Sequence, residues 1–327
     1  MIRLWAPAAG ALVLAGILGA IAQPQPDYPS RTVTIVSPVA TGGTYNAYAR
    51  IIASKLEERL SQPFVVENRQ GAGTVVGTNS VAKAVPDGYT LLMAGSPALA
   101  ISPTVNKSLP YDPAADFAPI SLIGRSPQVL VVNASLPIKS IADIAQYAKE
   151  NPGKLNYAST GPGTVVHLQG ELMKNQLGLD MTHVPYRGAA PALNDIAAGH
   201  VAMMFITFAP AQALVQAGKL RVIGLSAKDR DEALSDIAPL AETGLPGFDT
   251  SIWYMLVAPA RTPPPIIDRL HKEVDVILGD ASVRKQLVSQ GVSPGRSPEP
   301  EVLKRYIRSE VEVWGSIARK AGIAGML

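Results

Sequence analysis

Residues 32–50 read TVTIVSPVATGGTYNAYAR, and this stretch decides the fold class. Thr32, Val33, Thr34, Ile35 and Val36 are all β-branched, which predicts a strand. The Ser-Pro and Thr-Gly-Gly residues that follow break it. Tyr48, Ile51, Ile52, Leu56 and Leu60 then recur at three- and four-residue spacing, opposite Lys55, Glu57, Glu58 and Arg59, as on an amphipathic helix. A strand, a glycine turn and a helix start in succession form the opening of a βαβ unit.

Working outward, the same alternation continues. A strand over 64–67, a helix over about 75–85, the turn Pro86-Asp87-Gly88 and a strand over 90–94 complete a β-α-β-α-β order, which builds a parallel sheet with helices on both faces. A second set starts near Gln128. Strands are expected at 129–133, 155–158, 182–184, 201–205 and 220–225, with helices at 141–151, 164–177 and about 191–198. Gly178 and Gly199 stop two of those helices. The chain then runs through a strand-like 251–258 to helices at 266–278 and about 299–321. Two α/β sets with unplaced helices at the end point to two lobes and more than one chain crossing.

Composition narrows the function. The chain of 327 residues is 47% hydrophobic and 17% charged, with a formal net charge of +3 and no Cys. Its Lys and Arg residues are scattered and aromatics are 6%, so no nucleic-acid face is expected. Met1-Ile2-Arg3, the apolar run 4–21 and Ala20-Ile21-Ala22 match a secretory signal peptide over residues 1–22. Cleavage is expected after Ala22, with export as the outcome. No later window is apolar enough to span a bilayer.

Enzyme motifs are missing. His167, His183, His200 and His271 form no H-x-x-x-H pair, and there is neither a G-x-S-x-G elbow nor a Walker loop. No metal, no cofactor and no catalytic residue is therefore expected. Gly71-Ala72-Gly73-Thr74-Val75-Val76-Gly77 imitates a dinucleotide loop. The acidic residue at the right distance, Asp87, sits in a turn before its strand, and tight packing of a turn is the simpler reading.

Three other loops suit an anion. Thr41, Gly42, Gly43, Thr44 and Asn46 follow the first strand; Ser159, Thr160, Gly161 and Thr164 follow a strand of the second set; Ser96 follows the strand at 90–94. Each lies at the carboxyl end of an expected parallel strand, where open α/β sheets bind ligands. Free N–H groups at helix starts, with Ser and Thr hydroxyls, suit a carboxylate without Lys or Arg. Arg187 is the nearest cation. His167 either donates to a ligand or bonds Glu171 one turn on. Trp253 and Tyr254, at the expected crossing, either wall the cleft or pack.

Four segments carry a resemblance: VVENRQGAG (65–73), PDGYTLLMA (86–94), VPYRGAAPALNDIAAGHVAMMF (184–205) and WYMLVAPARTP (253–263). In this order they resemble the Bug family, the periplasmic solute-binding proteins of tripartite tricarboxylate transporters, across nearly the whole chain after residue 22. The resemblance implies an α/β, two-lobed type II periplasmic binding fold with two crossover strands. Lobe one would be 27–126 plus 250–327 and lobe two 127–249. It also implies a monomer that grips a small organic di- or tricarboxylate between the loops at 38–46 and 159–167 and hands it to a membrane permease. A membrane sensor kinase as the partner, or an orphan binder, is the alternative. The family's first loop commonly carries an Asp where this chain has Asn46. The expectation is that the uncharged amide shifts preference from acidic amino acids to non-amino acids.

Overall fold

The computed structural model describes residues 28–41 and 44–327; the expected signal peptide, Gly42 and Gly43 lie outside the described residues. Among the described residues, no helix is long and apolar enough to cross a membrane.

The opening stretch folds as β1 (Val33–Ser37) and α1 (Thr44–Leu60). β2 (Phe64–Asn68), α2 (Val75–Ala82) and β3 (Thr90–Gly95) follow, and the three strands pair parallel. The chain continues through a π-helical turn, Pro97–Ile101, and the short α3 (Ser102–Val105) into β4 (Phe117–Ser126). β4 was unassigned in the sequence because Pro119 and Gly124 interrupt its pattern. The structure places it at the sheet edge, where a missing N–H is tolerated, with register shifts along its pairing.

The second sheet is built from β5 (Val129–Asn133), α4 (Ile141–Glu150), β6 (Asn156–Ser159), α5 (Val165–Leu177), β7 (Thr182–Pro185), α6 (Ala189–Ala198), β8 (Met203–Ile206), α7 (Phe208–Gln216) and β9 (Leu220–Leu225). Its strand order is β7-β6-β8-β5-β9, with β6 parallel to both neighbours and β5 antiparallel to both of its own. The chain then returns as β10 (Ile252–Pro259), which inserts antiparallel between β3 and β4 to give the order β2-β1-β3-β10-β4. α8 (Pro264–Gly279), α9 (Ala281–Ser289) and α10 (Pro300–Lys320) end the chain and pack on this first sheet.

Each sheet is covered on both faces. α1, α8 and α9 bury Ile52, Leu56, Leu270, Val274 and Leu287 against one face of the first sheet. α10 lays Leu303, Ile307, Trp314 and Ile317 on the other. Glu310 falls on that same apolar stripe. Its Oε2 accepts the indole N–H of Trp253 at 2.8 Å and of Trp314 at 3.2 Å, while burial pushes its carboxyl pKa up. Val165 and Leu168 of α5 belong to this core too, so a helix of the second sheet is anchored in the first.

The two crossings lie side by side at residues 126–128 and 249–251. Gln128 N–H donates to Ser226 Oγ (2.9 Å), and Ser226 N–H returns a bond to Gln128 C=O (2.8 Å). The buried Gln169 Nε2 of α5 donates to Thr250 O (3.0 Å) and Thr250 Oγ1 (3.1 Å). Arg125 at the end of β4 reaches Asp249 at 3.2 Å. Trp253 and Tyr254, at 0% and 3% exposure, pack in the cores rather than wall a cleft.

Candidate functional site

Carboxyl ends of parallel strands from both sheets face the region between them, and the loops there are held in unlike ways. In the first loop Asn68, the last residue of β2, does most of the holding. Its Nδ2 donates to Val39 C=O at 2.7 Å, and its Oδ1 accepts from Asn46 Nδ2 (2.9 Å) and Thr41 Oγ1 (3.3 Å). Asn46 Oδ1 in turn accepts from Arg50 Nε at 3.1 Å. Asn46 is 3% exposed with both ends of its amide engaged, so it positions the loop instead of presenting a free group.

The neighbouring glycine motif has a steric explanation. A Cβ on Gly77 would lie 2.4 Å from Arg69 O and 2.8 Å from Pro38 Cα, so α2 reaches β1 only through a glycine. The turn before it is strained, with φ of 42° at Ala72 and 90° at Thr74. Glu67 and Arg69 form a bidentate pair at 2.8 Å that braces its outer side.

The second loop is built on rings. A Cβ at Gly170 would strike the Tyr157 ring at 2.2 Å; glycine lets that ring lie flat against α5. His183 stacks on Tyr157 at 5.1 Å and His167 stacks on His183 at 3.9 Å. β6 and β7 bring the residues together, since Tyr157 faces His183 in their register. His183 Nε2 bonds Ser159 Oγ at 2.6 Å, and Ser159 Oγ accepts from Gly161 N–H at 3.0 Å. His167 Nδ1 accepts from Gly163 N–H at 3.1 Å, which makes it neutral with its proton on Nε2. His167 Nδ1 thus bonds backbone rather than Glu171; Glu171 accepts from the Tyr157 hydroxyl. Burial lowers both imidazole pKa values, that of His183 to about 4.

These braces leave specific donors unused. Thr164 caps α5, and the first two helical residues, Val165 and Val166, keep backbone N–H groups without a partner among the described residues. Together with Thr160 and Thr164 they border a cavity of about 560 Å³ between the sheets. Thr44 instead lines a second cavity of about 470 Å³, with Tyr48 and Phe208, on the other side of the first crossing. Ser37, Tyr45 and Ser96 carry buried hydroxyls that have no partner among the described residues. Ser37 and Tyr45 were not singled out in the sequence; position at the end of β1 and the start of α1 was the available signal. Arg187 is exposed between β7 and α6 and forms no ion pair among the described residues. Gly42 and Gly43 lie outside the described residues. Among the described residues, no cluster of His, Asp and Glu could hold a metal.

Two covered α/β sheets joined by two adjacent crossings, with loops from both facing one cleft, define a two-lobed periplasmic binding protein. The chain belongs to the tripartite tricarboxylate transporter family receptors (TctC), whose sequence profile matches residues 48–323. It is 37% identical to a protein encoded in the tcbD-tcbE intergenic region of a Pseudomonas species, covering 92% of this chain and 91% of that one. Protein BugT of Bordetella pertussis is 33% identical, at 90% coverage of each. Among solved structures, Rpa4515 of R. palustris with adipate aligns with a TM-score of 0.77 at 37% identity, covering 91% of this chain and 99% of that one. MatC of Rhodopseudomonas palustris with bound malate gives 0.72 at 33%, covering 89% and 99%.

Proposed function

We propose that this protein is exported to the periplasm, captures a small organic carboxylate between its two lobes and delivers it to a tripartite tricarboxylate-type membrane permease. It acts by binding and not by turnover, as a monomer. The observation that carries the reading is the α5 start: two unpartnered N–H groups, at Val165 and Val166, and the hydroxyls of Thr160 and Thr164 on one interlobe cavity. The adipate and malate held by the two solved relatives support the carboxylate class. Lobe one comprises 27–126 plus 250–327 and lobe two 127–249, hinged at the paired crossings. Closure follows from contacts that the ligand makes only in the closed form.

A thermal-shift screen of organic acids tests this, since a ligand that binds only the folded state raises the midpoint with concentration. Acids are expected to raise it, and Thr160→Ala to weaken binding at least about tenfold, the loss of one hydrogen bond to a charged group. A screen in which amines or sugars stabilise and acids do not would defeat the proposal.

A further inference from the structure

The cavity at the α5 start changes character away from it. Its far wall is made of Pro97, Ile101 and Val105 below the first sheet, Ile252 of the second crossing, and Leu327 set against Gly163. No Lys, Arg or His is among its lining residues. At about 560 Å³ it falls in the range of small-molecule sites and is much larger than a carboxylate needs.

Ser102, Asn106 and Gln128 are the polar side chains that interrupt that wall, and Gln128 is the most deeply buried of them. Gln128 is 3% exposed, and its backbone N–H and C=O are both committed to Ser226. The residue borders the cavity, and its Oε1 is buried with no partner among the described residues. A buried acceptor left unpaired is costly, and a donor on a bound molecule would satisfy it.

We infer that the ligand is a carboxylic acid with an apolar body, an aromatic ring or short alkyl chain, whose body lies against Ile101, Val105 and Ile252 and carries a neutral donor such as a hydroxyl to Gln128. This rests on the carboxylate reading above and narrows it. A compact polycarboxylate would set its further charges on an apolar wall without a counter-ion, where desolvation is not repaid. The body of an apolar acid instead leaves water on entry.

Calorimetry on the purified protein with benzoate, 4-hydroxybenzoate, hexanoate, malate and citrate separates the cases. The expected order places 4-hydroxybenzoate first and the apolar acids at least about tenfold tighter than malate or citrate. Gln128→Leu, of similar volume, is expected to weaken 4-hydroxybenzoate about tenfold and leave benzoate unchanged, which a folding defect would not do. Malate or citrate binding tightest, with Gln128→Leu indifferent to the hydroxyl, would overturn the apolar-body inference and leave carboxylate binding intact. Failure of every acid would overturn the carboxylate reading itself.

Discussion

The loops at 38–46 and 159–167 do the same structural job with different chemistry. Both follow a parallel strand and open a helix. The first, at 38–46, is fixed by amides, with Asn68 bonding Val39, Asn46 and Thr41. The second, at 159–167, is fixed by imidazoles, with His183 on Ser159 and His167 on Gly163. Amides do not titrate between pH 4 and 8, and imidazoles do. The first loop is therefore indifferent to acid and the second is not.

The largest effect should come from breaking the first loop's foundation. Gly77→Val forces side-chain atoms into Arg69 O and Pro38 and is expected to cost about 3 kcal/mol, read from urea unfolding. Asn68→Ala leaves the Val39 carbonyl and the Asn46 amide unpaired, for an expected loss of about 2 kcal/mol by the same measurement. Neither change should alter the shape of the stability–pH curve.

The second loop should supply that shape. Burial first, and each other's proximity second, lowers the His183 pKa to about 4, and burial lowers that of His167. Glu171 and Lys174 of α5 face the pair with opposite signs. The unfolded chain then binds more protons than the folded one below the ordinary histidine value near 6.5. The contribution is intact above that value and is lost as pH falls through it toward about 4. Melting midpoints taken across this window should drop in the wild type and drop less in His183→Phe, which keeps a ring in the stack. Equal slopes would mean that other groups set the acid response.

The smallest expected effect sharpens the comparison at Asn46. Asn46→Asp keeps the acceptor for Arg50 but loses the donor to Asn68, for a cost of about 1 kcal/mol. Because both ends of the buried Asn46 amide are engaged by Asn68 and Arg50, titration should show no new preference for acidic amino acids. A gain of aspartate or glutamate binding would restore Asn46 as a selecting residue.

Periodicity made the two α/β sets legible because buried strands and amphipathic helices impose their spacing on the chain. β4 was not legible, since an edge position absorbs the Pro119 that argues against a strand. α7 and α9, at Phe208–Gln216 and Ala281–Ser289, were likewise unassigned. The loops at 38–46 and 159–167 were found from residue types, but not which of their groups stay free. Asn46 is spent on Asn68 across two elements, and His167 on Gly163 beside a ring sixteen positions away in sequence. Such pairings follow from strand register, which local composition does not encode.

The central claim is that a carboxylate sits on the α5 start. Amide resonances of Val165 and Val166, followed by NMR while the tightest acid is added, test it most directly. These two N–H signals should move downfield, saturably and together with those of the 159–164 loop. Saturable binding that leaves both signals in place, with shifts confined to other parts of the chain, would contradict it.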